Sequence, residues 1–437
     1  MSRILEQQLP PGPRNIVATT RDFAKDPIAL HKRIRDEYGD PFTLRTVGGT
    51  YVISGRADGI RAIFTQPAKH FEAYDLMRPL VGDDSLLITN GATHLKDRRM
   101  LTPFFHGRRI ADYAEQVRTS ARSILADFAL SRPSDIIAPM QRFSFEVIAH
   151  SVCGLHSTSD VRKLESLLSQ TVRSVWPPMI LMKSLRRAPF GVGPWGRFLR
   201  LRAKLDAAIA AWIAARRLAP GNDVMSRMLE AKTESGQPVS DSAIRDQLVS
   251  FLIAGLESTA VTMSWQLAAI TRNVEVYETL RAEMRALPDV PSWEELDAAP
   301  YLEAVVFETL RRFPVVVQTS RKLVAPMNLL GYRLAPGVGV ACSVALAQLD
   351  EKRFPDPMRF DPQRHLGLKR DQSHWLPFGG GARRCIGASL AEFEMKQATF
   401  VLMREANWAV ASDALPKIIR RSLTLGPDAP LLATRIS

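Results

Sequence analysis

Between Phe378 and Gly387 the sequence reads Phe-Gly-Gly-Gly-Ala-Arg-Arg-Cys-Ile-Gly. The chemistry such a stretch supports is that of a cysteine thiolate. Three successive glycines let the backbone come close to a flat partner, because no Cβ intervenes. Apolar periodicity after Cys385 predicts a helix over about 386–403. The sulfur then stands at a helix N-terminus, where backbone N–H groups, the helix dipole and the flanking Arg383 and Arg384 favour the charged form. A thiolate is the ligand a soft metal needs. A lone cysteine in a turn is ordinarily an inert, buried thiol; the loop around Cys385 is what points to ligation. The other cysteines, Cys153 and Cys342, are far away in sequence. No disulfide framework and no CxxC metal or iron–sulfur site is expected, and a reducing, cytoplasmic compartment fits.

Three further segments carry polar residues at meaningful spacings. Ala254-Gly255-Leu256-Glu257-Ser258-Thr259 sets an acid and two alcohols beside two small residues in an apolar, helix-periodic run. Glycine inside a helix costs about 1 kcal/mol relative to alanine, so Gly255 wants a reason. A hydroxyl at 258 can bond the carbonyl of Ala254 and distort the helix. Glu308 and Arg311, three apart on a helix, can pair. His94 and Arg98 stand one turn apart and can grip one anion.

These segments, in this order along nearly the whole chain, resemble the cytochrome P450 family. The family's haem-binding signature FxxGxRxCxG is matched at Phe378, Gly381, Arg383, Cys385 and Gly387, its ExxR motif at Glu308 and Arg311, and its FxPxR meander at Phe360, Pro362 and Arg364. Ala254 to Thr259 resembles the oxygen-activation motif (A/G)Gx(D/E)T, with Ser258 where threonine is usual. His94 to Arg98 resembles the (W/H)xxxR helix. The resemblance implies a mainly α fold with a minor β part and a long central helix over haem b. It implies Cys385 as axial ligand to iron, and Phe378, Gly379, Arg383 and Gly387 as parts of the haem loop. His94, Arg98, Arg321 and Arg383 become ligands of the haem carboxylates, and Glu308, Arg311 and Arg364 a buried structural triad. Small residues at 254 and 255 would leave room for dioxygen, with Glu257 and Ser258, assisted by Thr259, relaying protons.

The implied reaction is insertion of one oxygen atom of O2 into an apolar small molecule, a terpenoid or steroid first and a fatty acid next. No flavin or NAD fingerprint is visible, so electrons from NAD(P)H would arrive through a separate ferredoxin or flavodoxin and its reductase. Arg99, Arg108, Arg109, Arg383 and Arg384 would form the docking side. Family topology places Phe71, Leu76, Trp176, Met179, Ile180, Leu252, Val316, Val317 and Leu423 as pocket candidates. The alternatives are a peroxygenase or isomerase on the same fold, or a haem sensor without turnover. The stretch from Trp176 to Trp195, apolar with basic interruptions, suits a substrate-access loop or contact with a membrane.

The elements that must position these residues are legible in outline. Apolar residues at Ile244, Leu248, Phe251, Leu252, Leu256 and Met263 predict a helix over about 240–272, close to 50 Å long at about 1.5 Å per residue. A second helix is predicted over 301–313, stopped by Pro314. A hairpin is predicted over 41–54, and short strands over 315–345 and in the C-terminal tail. Nothing among the 437 residues marks a repeat or long linker, so one domain, 1–437, is expected. The formal net charge is +13, which favours anionic partners; without a recognition module, nucleic acid is not expected. There is no run of about 18 apolar residues and no signal-peptide pattern, so no transmembrane anchor is expected.

Overall fold

The computed structural model describes residues 9–175, 179, 183–233, 236–367, 371, 373–410, 414–421 and 424–437, with 108 and 183 described through their backbone alone. Helices dominate and the strands are short. The chain forms two compact units, one of Met1–Glu72, Phe105–Met140 and Ser258–Ser437, the other of Ala73–Phe104 and Gln141–Glu257.

The first unit carries a five-stranded sheet in the order Phe42–Thr46, Gly49–Ser54, Gly339–Ser343, Gln318–Leu323, Phe71–Glu72. The predicted hairpin is its edge, pairing Phe42 with Ile53 and Thr46 with Gly49. Gly49–Ser54 then runs parallel to Gly339–Ser343, which is antiparallel to Gln318–Leu323. Alternate residues of the strands serve opposite faces. Val52 and Val340 join a core with Ile60, Ile63 and Leu323, while Ile53 and Ala341 join one with Leu30, Ile34 and Leu44. Because both faces are covered, the central strand Gly339–Ser343 is buried at every residue and reads as a continuous apolar run.

In the same unit the helix Pro300–Arg312 opens on Pro300, whose missing N–H costs nothing in a first turn. The helix Ala388–Glu405 is buried from Phe393 through Met403 and packs against Ala114–Leu125, Val274–Ala286 and Pro300–Arg312. Such a helix must satisfy its polar residues internally: Lys396 Nζ lies 2.6 Å from an Asp297 carboxylate oxygen.

The second unit contains Gly91–Leu101, Thr158–Arg173 packed on Gly193–Leu218, and Val224–Glu230. The helix Asp241–Arg272, 32 residues long, gives its first part to this unit and its second part to the other. Its start is set by Ser240, whose Oγ accepts from the Ala243 N–H at 3.2 Å. Among the described residues it alone is long and apolar enough to cross a membrane, and most of its apolar stretch is buried within the protein. Its apolar surface is therefore core.

Candidate active site

Cys385 is exposed, whereas Cys153 and Cys342 are buried. Burial pushes the Cys342 thiol up to about 12 and the Cys153 thiol higher still, so neither ionises near neutrality. The Cys385 loop is closed by its own backbone: the Cys385 N–H donates to the Phe378 carbonyl at 2.9 Å. A single 3-10 turn spans Gly381–Arg383, and Gly387 precedes the first residue of Ala388–Glu405. The helix begins two residues later than predicted and leaves the sulfur just outside its N-terminus. Gly379 and Gly381 take φ of 64° and 62°, a region that favours glycine. A Cβ on Gly380 would stand 2.4 Å from the Phe64 ring, and one on Gly381 2.7 Å from the Phe64 carbonyl oxygen. At 380 and 381 the close neighbour within the protein is Phe64.

Arg321, on the strand beside this loop, is 5% exposed. Its Nη2 donates to the Gly380 carbonyl at 2.6 Å, and its guanidinium lies over the rings of Phe64 and Phe71 at 5.1 and 5.5 Å. Among the described residues its Nη1 has no hydrogen-bond partner, and burial pulls its pKa down from the usual guanidinium value. A buried cation with an unused donor calls for an anion. The donor set therefore fits a group that brings a soft metal to Cys385 and an acidic arm to Arg321.

The helix Pro300–Arg312 carries a second buried arginine. Arg311 donates through Nε and Nη2 to the two carboxylate oxygens of Glu308 at 2.7 and 2.8 Å, a bidentate pair with neither side chain exposed. Arg364 Nε approaches Glu308 Oε1 at 3.2 Å, and the Asp361 N–H donates to the same oxygen at 2.9 Å. So the structure brings Glu308, Arg311 and Arg364 together. It adds His365, whose Nε2 lies 2.9 Å from Glu308 Oε2. Burial raises the Glu308 pKa, but the hydrogen bonds from Arg311 and His365 and the Arg311 charge outweigh it, and the net shift is downward. Gln348 ties this network to the loop. Its amide donates to the carbonyls of Leu310 and Arg311, and its Oε1 accepts from the Leu376 N–H at 3.0 Å.

In the second unit, His94 is buried on Gly91–Leu101 with Arg98 one turn on. The central helix fixes the segment leading into it. Asp246 accepts from the Asp84 N–H at 2.9 Å, Gln247 from the Leu86 N–H at 3.0 Å, and Ser250 meets Ser85 at 2.6 Å. The Leu86 carbonyl in turn lies 3.2 Å from His94 Nδ1. Farther along that helix Ala254 is the one exposed residue between 243 and 272, and Gly255, Glu257 and Ser258 are half-buried; Thr259 is buried. The Gly255 carbonyl accepts from Ser144 Oγ at 2.8 Å, and a Cβ on Gly255 would come within 3.1 Å of Ile148. Close approach to Ile148 is thus a packing reason for Gly255.

The Cytochrome P450 family profile matches residues 9–432. The chain belongs to the cytochrome P450 family. Similar proteins include the provisionally named cytochrome P450 135B1 of Mycobacterium tuberculosis, 32% identical over 96% of this chain and 90% of that protein. Cytochrome P450 135A1 of the same organism, also a provisional name, is 30% identical over 90% and 87%. Among solved structures, a retinoic acid-bound cyanobacterial CYP120A1 superposes with a TM-score of 0.84 at 23% identity, covering 98% of this chain and 99% of that one. The P450DA heme domain does so with the same score at 22% identity. P450s are haem-thiolate monooxygenases, and this chain is such an enzyme.

Within this P450 the pocket candidates separate. Leu76 is half-buried and Val316 is 40% exposed. Met179 is buried. Leu252 has no exposed surface, Val317 packs in a core with Ala345 and Leu425, and Phe71 sits in the core of the five-stranded sheet beneath Arg321. These three are buried among the protein's own side chains. Trp176, Ile180 and Leu423 lie outside the described residues, as does the Arg108 side chain. Phe378 is half-buried against Trp375, whose Nε1 donates to the Phe307 carbonyl at 3.2 Å. Sequence reasoning missed Trp375, Gln348 and His365. Only His365 had a signal, its place directly after Arg364.

Proposed function

We propose that this P450 inserts one oxygen atom of O2 into an apolar small molecule, with Cys385 as the thiolate ligand of haem b and the whole chain acting as one cytoplasmic catalytic domain. The reading is carried by one observation: an exposed cysteine on a backbone-closed loop, beside a buried arginine with an unused donor. Haem, when bound, supplies the activation of dioxygen, which thiolate ligation favours. The chain's own residues do the rest. Arg321, Arg383, His94 and Arg98 hold the haem carboxylates. Phe378, Gly379 and Gly387 shape the loop that carries the sulfur. Glu257 and Ser258, with Thr259 behind them, move protons, and Ala254 leaves open space on the helix. Serine at 258 keeps the hydroxyl of the usual threonine but not the methyl that restricts its rotamer, so coupling of electrons to product is looser.

The substrate class is a terpenoid or steroid, with fatty acids next, since the pocket candidates are apolar. Electrons from NAD(P)H come through an acidic ferredoxin or flavodoxin docking on basic residues, Arg109 and Arg384 in the unit of Cys385 and Arg99 in the other. Reduction rates should therefore fall with ionic strength. The deciding experiment is the spectrum of the reduced carbon monoxide complex. The thiolate-type long-wavelength Soret band is expected in the native protein and lost in Cys385→Ala. Retention of that band, or full turnover with peroxide alone and none with NAD(P)H and redox proteins, would overturn the assignment.

A further inference from the structure

The acid-free stretch richest in positive charge plays no part in the chemistry above. Between Glu165 and Asp206 there is no Asp or Glu, while Arg173, Lys183, Arg186, Arg187, Arg197, Arg200, Arg202 and Lys204 supply eight cations. Those eight compare with a net charge of +13 for the whole chain. Arg202 is occupied by Asp206, but no carboxylate pairs with Arg187, Arg197 or Arg200 among the described residues.

The described part of this stretch builds a knob. A 3-10 turn, Pro189–Gly191, abuts the start of the helix Gly193–Leu218. Gly196 admits that approach: a Cβ there would stand 2.1 Å from the Gly191 carbonyl oxygen. Arg200 donates to the same carbonyl. On that helix Trp195 packs at a tilt against Phe198, ring centroids 4.9 Å apart, and Arg186 lies over the Trp195 ring at 5.9 Å. Gly196 and Arg200 thus hold the turn through the Gly191 carbonyl. The turn and its neighbours in sequence show apolar side chains to water: Phe190 is 102% exposed and Val192 66%, with Leu185 and Leu199 at 38% and 44%. Phe190 has a φ of 53°, a conformation that a bulky side chain rarely adopts. The fold thus keeps an aromatic ring outward in an unfavourable backbone region.

We infer that this knob docks the enzyme on an anionic lipid surface. Phe190 and Val192 would enter the boundary between headgroups and acyl chains, and Arg187, Arg197 and Arg200 would lie among the phosphates. The chemistry discriminates among anionic partners. An acidic protein or a nucleic acid would use the arginines but has no demand for four exposed apolar side chains around one turn. A lipid interface uses both, burying the apolar tip and attracting the cations around it. The inference is independent of the haem reading, because surface docking needs neither haem nor turnover.

The test is cosedimentation of the intact, haem-loaded enzyme with vesicles of phosphatidylcholine alone and of phosphatidylcholine mixed with phosphatidylglycerol. Binding is expected to the mixed vesicles only, and to fade at high salt. Phe190→Ser with Val192→Ser should weaken it about tenfold or more. Arg197→Glu should weaken it about fivefold or more. Phe190→Gly supplies the control against misfolding: relief of the positive φ should raise the melting temperature while vesicle binding falls. The inference is overturned if the native enzyme ignores phosphatidylglycerol vesicles. It is equally overturned if the Phe190 and Val192 variants bind as well as the native enzyme, or if the knob arginines are needed for an acidic redox protein or nucleic acid and not for vesicles.

Discussion

Two buried arginines in the same unit have opposite circumstances. Arg311 has no exposed surface, and its donors reach both Glu308 oxygens and the carbonyls of Gln348 and Pro357. Arg321 is nearly as deeply placed, yet among the described residues one of its nitrogens has no acceptor. Taking a charge out of water is costly unless hydrogen bonds and an opposite charge replace the solvent. Around Arg311 the protein makes that replacement itself, so the region is complete as it stands. Around Arg321 the protein stops short, which is the condition of a site that waits for a ligand. The same contrast separates two buried carboxyls. Glu308 is held below the usual range by its partners, whereas Glu394, 4% exposed, is pushed up to about 8 by burial alone.

The comparison breaks first at Arg311. Arg311→Leu leaves Glu308 charged and buried, and should cost about 3–5 kcal/mol in a denaturant titration. An unchanged midpoint would mean that the network is ornamental. Glu394→Gln comes next. The folded-state pKa of Glu394 lies above its ordinary value, so native protein holds a proton that unfolded protein releases between about 4.5 and 8. Its contribution is fully present below that window and is lost as pH rises through it, by at most about 1.4 kcal/mol per unit. The native enzyme should therefore lose stability relative to Glu394→Gln from pH 5 to pH 8; parallel curves would refute the burial argument. Arg321→Leu should behave unlike Arg311→Leu. Unfolding of the haem-free chain should shift by only about 1–2 kcal/mol, the worth of the Gly380 contact less the relieved burial. Haem transfer to an acceptor globin should accelerate about tenfold or more. A large loss of haem-free stability would place Arg321 with Arg311.

The completed region was the more legible in the sequence. Glu308, Arg311 and Arg364 stand at fixed spacings because one helix and one meander must meet at one carboxylate. The long helix was readable for a similar reason: apolar period and length are local properties. Gln348 and Trp375 were not, since each acts through backbone carbonyls or amides brought near by the fold, and a backbone partner leaves no mark on residue type. The glycines of the Cys385 loop were read as room for a ligand, but a glycine is equally required by a crowding neighbour, and Phe64, some 300 positions away, could not be seen. The substrate pocket was least legible. Leu252 and Val317 are apolar and buried, and residue type alone does not separate a core wall from a pocket wall.

Gly255 gives the smallest expected effect and the finest test of that last ambiguity. Alanine there gains about 1 kcal/mol of helix propensity. Against this, its Cβ would approach Ile148 at 3.1 Å, so the isoleucine must yield by a few tenths of an ångström, which costs a comparable amount in a close-packed interior. Gly255→Ala should therefore leave the unfolding free energy within about 1 kcal/mol of the native value. If instead the full helix gain appears and product formed per electron falls, the missing side chain was there for dioxygen and not for Ile148. Ala254, the exposed neighbour, sharpens the reading. Ala254→Val should lower product yield with little change in stability, because its side chain meets open space where that of residue 255 meets a helix.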